Sequence, residues 1–239
     1  MKHALYSGNA AVYDDMEMSA KSLIANSDVD RIYFLIDDAE FPYELPDIIE
    51  CIDVRKQKYF PKDGANIKTK FSYMSLMRAA LALMPEFEKI DRIVSLDCDT
   101  VAVKDVSGLW DMPVDDCYFS ASSEPPRNKN GLLYCNTGVT LYNLEKLRDG
   151  KAQEVVDVLN KRAYVNIEQD VFSYLCQGRI HDMSSEYNAT KWTKKCAFPR
   201  LIHYAGIKGD VWRTYAEPHE YRNMTWDEAL KRHAQFIRK

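Results

Sequence analysis

The stretch from Arg92 to Val103, RIVSLDCDTVAV, restricts the fold more than any other part of the chain. Ile93, Val94 and Leu96 occupy both sides of an extended segment and are all apolar, the pattern of a strand covered on both faces. Such strands belong to parallel sheets layered between helices. This one ends in Asp97 and Asp99, separated by a single cysteine. Two carboxylates so close repel each other unless something positive sits between them. The end of that strand is either a polar turn, where Asp is common, or a place that calls for a cation.

The preceding residues point to the same architecture. HALY reads as a strand, VYDDMEMSAKSLIA as a helix with Met16, Ser19, Leu23 and Ile24 near one face, RIYFLI as a second strand and IIECIDV as a short third. FSYMSLMRAALALM reads as a helix whose Phe71, Met74, Met77, Leu81 and Met84 share a face. This alternation predicts an α/β, doubly wound and mostly parallel sheet. Ligands of such sheets bind beyond the carboxyl ends of the strands, where Asp97 and Asp99 fall. In the second half CYFSAS and TGVTLYN read as strands, and AQEVVDVLNKR and QDVFSYLCQ as helices. After RIHDM an irregular aromatic stretch runs to about Pro199, followed by a short strand in RLIHYAG. TWDEALKRHAQFIRK reads as a helix with Thr225 as N-cap and Glu228 as its reciprocal partner. Its basic last turn suits the helix dipole, which leaves contact with a membrane surface as a minor reading.

A formal net charge of −4 argues against a nucleic-acid partner held by a broad basic field. An anionic ligand would need a metal or a small basic pocket. Cys51, Cys98, Cys117, Cys135, Cys176 and Cys196 form no C-x-x-C pair, and several fall in apolar runs, so buried, reduced thiols are expected. MKHALYSGNA has no signal-peptide core and no apolar run is long enough to span a membrane, so a cytoplasmic location is expected. Asn188-Ala-Thr190 and Asn223-Met-Thr225 match the glycosylation pattern, which means little without a secretory signal.

Two hard carboxylates at the mouth of a sheet suit Mn²⁺ or Mg²⁺. DCDTV fits the nucleophile motif of haloacid-dehalogenase-like phosphatases, but that motif normally opens its domain and here three apparent strands precede it. Asp115-Asp116, between Pro113 and a strand, is badly placed as the later acidic pair. A nucleotide-sugar glycosyltransferase would instead use the pair to hold a metal on a diphosphate. His203, in LIHYAG with Gly206 and Lys208 close behind, could be a third ligand or a satisfied core histidine. Asn136, Thr137 and Gly138 read either as a turn into a strand or as a set facing a sugar hydroxyl. Glu168, Gln169 and Asp170 open a helix for which Asn166 could be the N-cap with Gln169 at N3. Arg78 flanks an apolar helix face and calls for an anionic partner, Glu168, Asp170 or a donor phosphate, unless it is a solvated surface arginine.

These stretches together resemble glycosyltransferase family eight, the retaining group that includes glycogenin and bacterial lipooligosaccharide galactosyltransferases. The resemblance runs from LYSGNAAVYDDMEMSAKSL to HYAGIKGDVW, and RIVSLDCDTVAVKDVSGLWD is its most specific part; NTGVTLYNLEKLR, EQDVF, EYN and HYAG follow in the family's order. It implies a single GT-A-type domain over residues 1–239, a Rossmann-like sheet with helices on both faces. Residues to about 112 would form a nucleotide-sugar half, and those from about 113 a sugar and acceptor half. It implies a hexosyltransferase moving glucose or galactose from UDP-glucose or UDP-galactose to a glycan or other hydroxyl acceptor. Asp97, Asp99 and His203 would bind Mn²⁺. Tyr6, Ser7 and Asn9 would face the uridine. Arg78, Asn136 with Thr137, and Gln169 with its neighbours Glu168 and Asp170 would line the sugar. Gly206 and Lys208 would meet the diphosphate. HYAGIKGDVW departs from the family's usual ending, because Lys208 comes one place early and a proline is missing. The phosphatase and a non-catalytic sugar-nucleotide-binding relative are the alternatives.

Overall fold

The computed structural model describes residues 1–69, 73–207 and 209–237. Its strands are β1 (His3–Gly8), β2 (Arg31–Ile36), β3 (Ile49–Asp53), β4 (Arg92–Leu96), β5 (Thr100–Ala102), β6 (Phe119–Ser123), β7 (Cys135–Asn143), β8 (Ile180–Asp182) and β9 (Leu201–His203). A seven-stranded sheet has the order β3-β2-β1-β4-β7-β6-β8, and β5 pairs with β9 in a separate ribbon. Within the large sheet β7 alone runs against the others.

The helices are α1 (Tyr13–Ala25), α2 (Met77–Ala80), α3 (Leu144–Leu147), α4 (Lys151–Lys161), α5 (Ile167–Leu175), α6 (Gly209–Trp212), α7 (Ala216–Asn223) and α8 (Trp226–Ile237). Successive strand residues turn to opposite faces, and both faces are apolar as the run around Val94 predicts. Tyr6, Phe34, Val94 and Leu96 pack with residues of α1, α7 and α8. Leu5, Leu35 and Ile93 pack on the other side with residues of α2, α4 and α5. Each large apolar side chain withdrawn from water in this way contributes about 1.5–3 kcal/mol. Among the described residues no helix is long and apolar enough to cross a membrane.

Several local expectations change. Phe71 lies outside the described residues. From Tyr73 onward the expected helix is divided into a 3₁₀ segment (Tyr73–Leu76), α2 and a second 3₁₀ segment (Leu81–Leu83). Met74, Met77, Leu81 and Met84 are all buried, so the apolar period is satisfied although the winding is not uniform. In so short a segment packing outweighs the small preference for α over 3₁₀ winding. Met84 turns extended before Pro85, as the ring of a following proline requires. Asn136, Thr137 and Gly138 are strand residues of β7 and not a turn, since pairing starts at Cys135 opposite Ser123. All six cysteines are free, but only Cys135 and Cys176 are buried, and Cys51 is exposed on the edge strand β3. The capping box of α8 forms, with the Glu228 amide donating to Thr225 Oγ1 (3.2 Å) and the Thr225 amide to Glu228 Oε2 (2.7 Å). The basic Arg238 and Lys239 lie outside the described residues.

One buried carboxylate fastens the end of the chain to its beginning. Asp15, on α1, accepts from Arg213 (2.6 Å) and from Arg222 (2.5 Å) on α7. The segment leading to α6 follows β9 directly, so this clamp holds the chain beyond His203 against the carboxyl end of β1. Asp15→Ala leaves both guanidinium groups without that acceptor. It is expected to cost about 2–3 kcal/mol, as the loss of charge-assisted bonds at a partly buried site does, read as a lower urea midpoint with an unchanged slope.

Candidate active site

The turn Asp97-Cys98-Asp99 leaves β4 at its carboxyl end, and Thr100 opposes His203 in the β5–β9 ribbon. That register delivers an imidazole from a hundred residues downstream. His203 Nε2 lies 3.5 Å from Asp97 Oδ2 and 3.2 Å from Asp99 Oδ1. One donor atom from each residue falls within 4.8 Å of the others. The ring is buried, and burial alone would disfavour its charge. Asp99 and Asp97 outweigh that and push its pKa up to about 10. The far side of the ring meets Asn188, whose Oδ1 is 2.9 Å from Nδ1. Two hard oxygen donors and an imidazole with its other nitrogen engaged make a set that fits a divalent cation such as Mn²⁺ or Mg²⁺.

Gly138 makes this closeness feasible. A Cβ there would stand 2.7 Å from both Asp97 Oδ2 and His203 Nδ1, so no other residue fits between β7 and the ring. The amide of Asp97 donates to the Gly138 carbonyl at 2.7 Å and extends the β4–β7 pairing by one residue.

Arg78 supplies the other positive charge. Almost wholly buried, it donates to the Thr137 carbonyl (2.6 Å) and to Asp97, with Nε 3.5 Å from Glu168 Oε1. Burial opposes the charge on Asp97, but Arg78 and His203 overcome it and hold this carboxyl well below its usual range. Glu168 is the reverse case. Burial and the nearby Asp97 push its pKa up to about 7 despite Arg78. Its Oε1 accepts from Thr137 Oγ1 (3.2 Å), while its buried Oε2 has no partner.

Glu168 and Gln169 reach the site because α5 starts abruptly. Ile167 has φ +34°, a left-handed conformation that a β-branched residue holds at a cost of about 1–3 kcal/mol. Instead of Gln169, Asp170 reaches back to the Asn166 amide (2.9 Å). Asp170 also accepts from Tyr134 Oη (2.5 Å), which in turn accepts from Gln169 Nε2 (3.0 Å). The carboxylate at one end thus sets the direction of the whole array, and Gln169 Oε1 is left to accept from the Thr137 amide (3.1 Å).

A cavity of about 680 Å³ opens over these groups. Of the residues singled out from the sequence, Arg78, Asp97, Asp99, Asn136, Thr137, Glu168, Gln169, His203 and Gly206 line it. Asp170 stands behind Gln169 and is not part of the wall. The Tyr6 ring is fully buried in the core, with its hydroxyl accepting from Ser19 Oγ (3.2 Å), so its side chain does not face the cavity. Ser7 and Asn9 are half-buried at the end of β1, where the Ser7 carbonyl accepts from Cys98 Sγ (3.6 Å). Lys208 lies outside the described residues. Asn188, Glu124, Arg127 and Trp192 were not singled out as site residues. Asn188 shows in the sequence only within EYN and as part of a glycosylation pattern, which its complete burial rules out in the folded chain. Arg127 and Trp192 come from segments with no period, where only proximity in space marks them.

The family model described as "Glycosyl transferase family 8" matches residues 16–214. A putative glycosyltransferase of Haemophilus influenzae is 25% identical over 145 residues, covering 54% of this chain and 43% of that protein. Glycosyltransferase GlyE of Streptococcus pneumoniae is 23% identical over 199 residues, covering 77% of this chain and 47% of that one. The chain thus spans about half the length of the curated relatives it matches. The GlyE crystal structure superposes with a TM-score of 0.70 at 19% identity, over 96% of this chain and 62% of that chain. The galactosyltransferase LgtC, in complex with donor and acceptor sugar analogs, superposes with a TM-score of 0.68 at 18% identity, over 96% of this chain and 99% of that one. The fold is the expected GT-A type, a mixed α/β sheet with helices on both sides.

The charge on His203 sets a pH dependence for the metal-free chain. Its pKa in the fold, about 10, lies above the ordinary 6.5, so its stabilising contribution is complete below about pH 6.5 and disappears as pH rises through about 10. In EDTA, the stability gap between the wild-type chain and His203→Gln should therefore narrow steadily across that interval. Urea unfolding at a series of pH values measures it, and a gap independent of pH would contradict the assignment.

Proposed function

The chain belongs to glycosyl transferase family 8, and from that premise we propose that it moves a hexose, glucose or galactose, from a UDP-sugar to a hydroxyl of a glycan acceptor with retention of configuration. The observation that carries this reading is the meeting of Asp97, Asp99 and His203 at the wall of the cavity that Asn136, Glu168 and Gln169 also line. Asp97, Asp99 and His203 would hold Mn²⁺, with Mg²⁺ as the alternative ion. When bound, it supplies positive charge where the leaving diphosphate becomes more negative.

The other side chains have separable tasks. Arg78 keeps Asp97 ionised and fixed, so the acid is ready to act as a ligand and needs no reorganisation. Glu168, with a pKa near 7 and Oε2 unpartnered, suits a hydrogen bond to a sugar hydroxyl in either protonation state. Gln169 Oε1 has one lone pair engaged by the Thr137 amide and a second that can face an oxocarbenium-like carbon. These features favour front-face attack, in which the acceptor hydroxyl enters on the side the diphosphate leaves. Asp170 makes a poor covalent nucleophile: Tyr134 and Asn166 occupy both its oxygens, and it stands outside the cavity. Glu168 remains the covalent rival. Trp192, half-exposed on the cavity wall, offers a flat apolar face on which an acceptor sugar could stack. The phosphatase reading of DCDTV is not favoured, because the family assignment accounts for that motif together with the whole order of motifs that follows it.

Incubation with UDP-glucose and, separately, UDP-galactose, in Mn²⁺ or in EDTA, should give metal-dependent UDP release from one of the two sugars. Asp99→Ala should lower that release by about a hundredfold or more, the scale on which one preorganised charge-stabilising group acts. Release that is unchanged in EDTA and in Asp99→Ala would refute the metal-dependent part. Mn²⁺-dependent UDP binding without turnover, even with glycan acceptors, would leave a non-catalytic relative.

A further inference from the structure

A chain of four side chains runs from the far wall of the cavity to the back of the His203 ring, and its direction is fixed at one end by a carboxylate. Glu124, almost wholly buried, can only accept when ionised, and Asn136 Nδ2 donates to its Oε1 at 2.9 Å. That orients the Asn136 amide, so its Oδ1 faces the other way. The Gly138 amide confirms the orientation independently by donating to the same Oδ1 at 3.1 Å. Asn188 Nδ2 also donates to Asn136 Oδ1, at 3.0 Å. The Asn188 amide is thereby oriented too, and its Oδ1 accepts from His203 Nδ1 at 2.9 Å. No member can reverse without setting two acceptors or two donors against each other.

We infer that Asn188 is the positioning residue of the metal site: through Asn136 and Glu124 it fixes the proton of His203 on Nδ1, so that Nε2 is the nitrogen presented beside Asp97 and Asp99. The same amide ties that ring to Asn136, so the arm that would hold the metal and the arm that would hold the donor sugar share one hydrogen-bond chain. Local backbone structure supports this role. The Ala189 amide donates to the Leu201 carbonyl (3.0 Å) and the His203 amide to the Ala189 carbonyl (3.0 Å), which pins Asn188 beside β9. Thr193 Oγ1 donates to the Asn188 carbonyl at 2.9 Å. Asn188 itself is completely buried and does not line the cavity, so it acts through its neighbours and touches no substrate.

This inference rests on the reading that Asp97, Asp99 and His203 hold a divalent ion, and the experiment separates the two. Cadmium, a diamagnetic ion that accepts both oxygen and nitrogen donors, is added to the full chain carrying 15N-labelled histidine. The expected spectrum has cadmium coupled to Nε2 of His203 and a proton on Nδ1. Cadmium on Nδ1, or a proton on Nε2, overturns the orientation while leaving the metal site standing. No response of His203 to cadmium removes the metal site, and the positioning role with it. In parallel, Asn188→Leu should weaken Mn²⁺ binding by about 10–100-fold, the usual effect of removing an outer hydrogen-bond partner of a ligating histidine. Asn188→Asp keeps an acceptor for Nδ1–H but, like Asn188→Leu, loses the donor to Asn136, so it should recover most of the Mn²⁺ affinity while UDP-sugar affinity is lowered in both variants. Equal Mn²⁺ binding in the wild-type and Asn188→Leu chains, or equal losses of Mn²⁺ affinity in both variants, would overturn the proposal. Should Asn188→Leu fail to fold, the wild-type nitrogen spectrum still decides.

Discussion

Two carboxylates separated by one residue at the end of a buried strand cannot both stay ionised without compensation, and much of the site is arranged around that requirement. Compensation comes from two cations that the sequence places far from Asp97 and Asp99. Arg78 arrives from the short helical segment on one side of the sheet, and His203 from the last strand, through pairing with Thr100. Both act on Asp97 and hold it ionised, while the same burial raises Glu168. Opposite protonation tendencies within one cavity follow from which carboxylate the two cations touch most closely. His203 stands 3.2 Å from Asp99 as well, and a divalent ion would add to the compensation of both acids.

The fold serves this arrangement at a few points where ordinary preferences are overridden. β7 runs against its neighbours, which places Asn136, Thr137 and Gly138 at its start, level with the carboxyl ends of the parallel strands. Gly138 is needed because backbone and imidazole come closer than a side chain allows. Ile167 takes a backbone conformation unfavourable for its type, and α5 thereby starts with Glu168 and Gln169 at the cavity wall. Local strain at a cavity wall is affordable because the surrounding core, with Val171 and Phe172 fully buried, over-determines the position.

A second regularity concerns amide groups. Gln169, Asn136 and Asn188 could each turn either end toward the site, and the choice decides whether a donor or an acceptor is offered. In each case a carboxylate that can only accept settles the matter at a distance: Asp170 through Tyr134 for Gln169, and Glu124 for Asn136 and then Asn188. Asp170 and Tyr134 lie behind the wall, whereas Glu124 is part of its far side.

The sequence by itself determined the layered α/β architecture, because alternating residues that are all apolar leave a strand no option but to be covered on both faces. It also determined the acidic pair at the carboxyl end of a central strand, the cap of the last helix and, through the order of its motifs, the family. It did not determine the broken winding between Tyr73 and Leu83, the exposure of Cys51, the inward turn of Tyr6 or the strand conformation of Asn136, since each depends on what packs opposite. The tertiary structure alone decided that Arg78 is buried against Asp97, that Asp170 stands behind Gln169, and that Asn188, which in the sequence resembles an exposed glycosylation signal, is the buried partner of His203. The physical reason is range. Periodicity and capping are set by neighbours a few residues away, whereas charge compensation and hydrogen-bond direction are set by groups that meet only after the sheet has assembled.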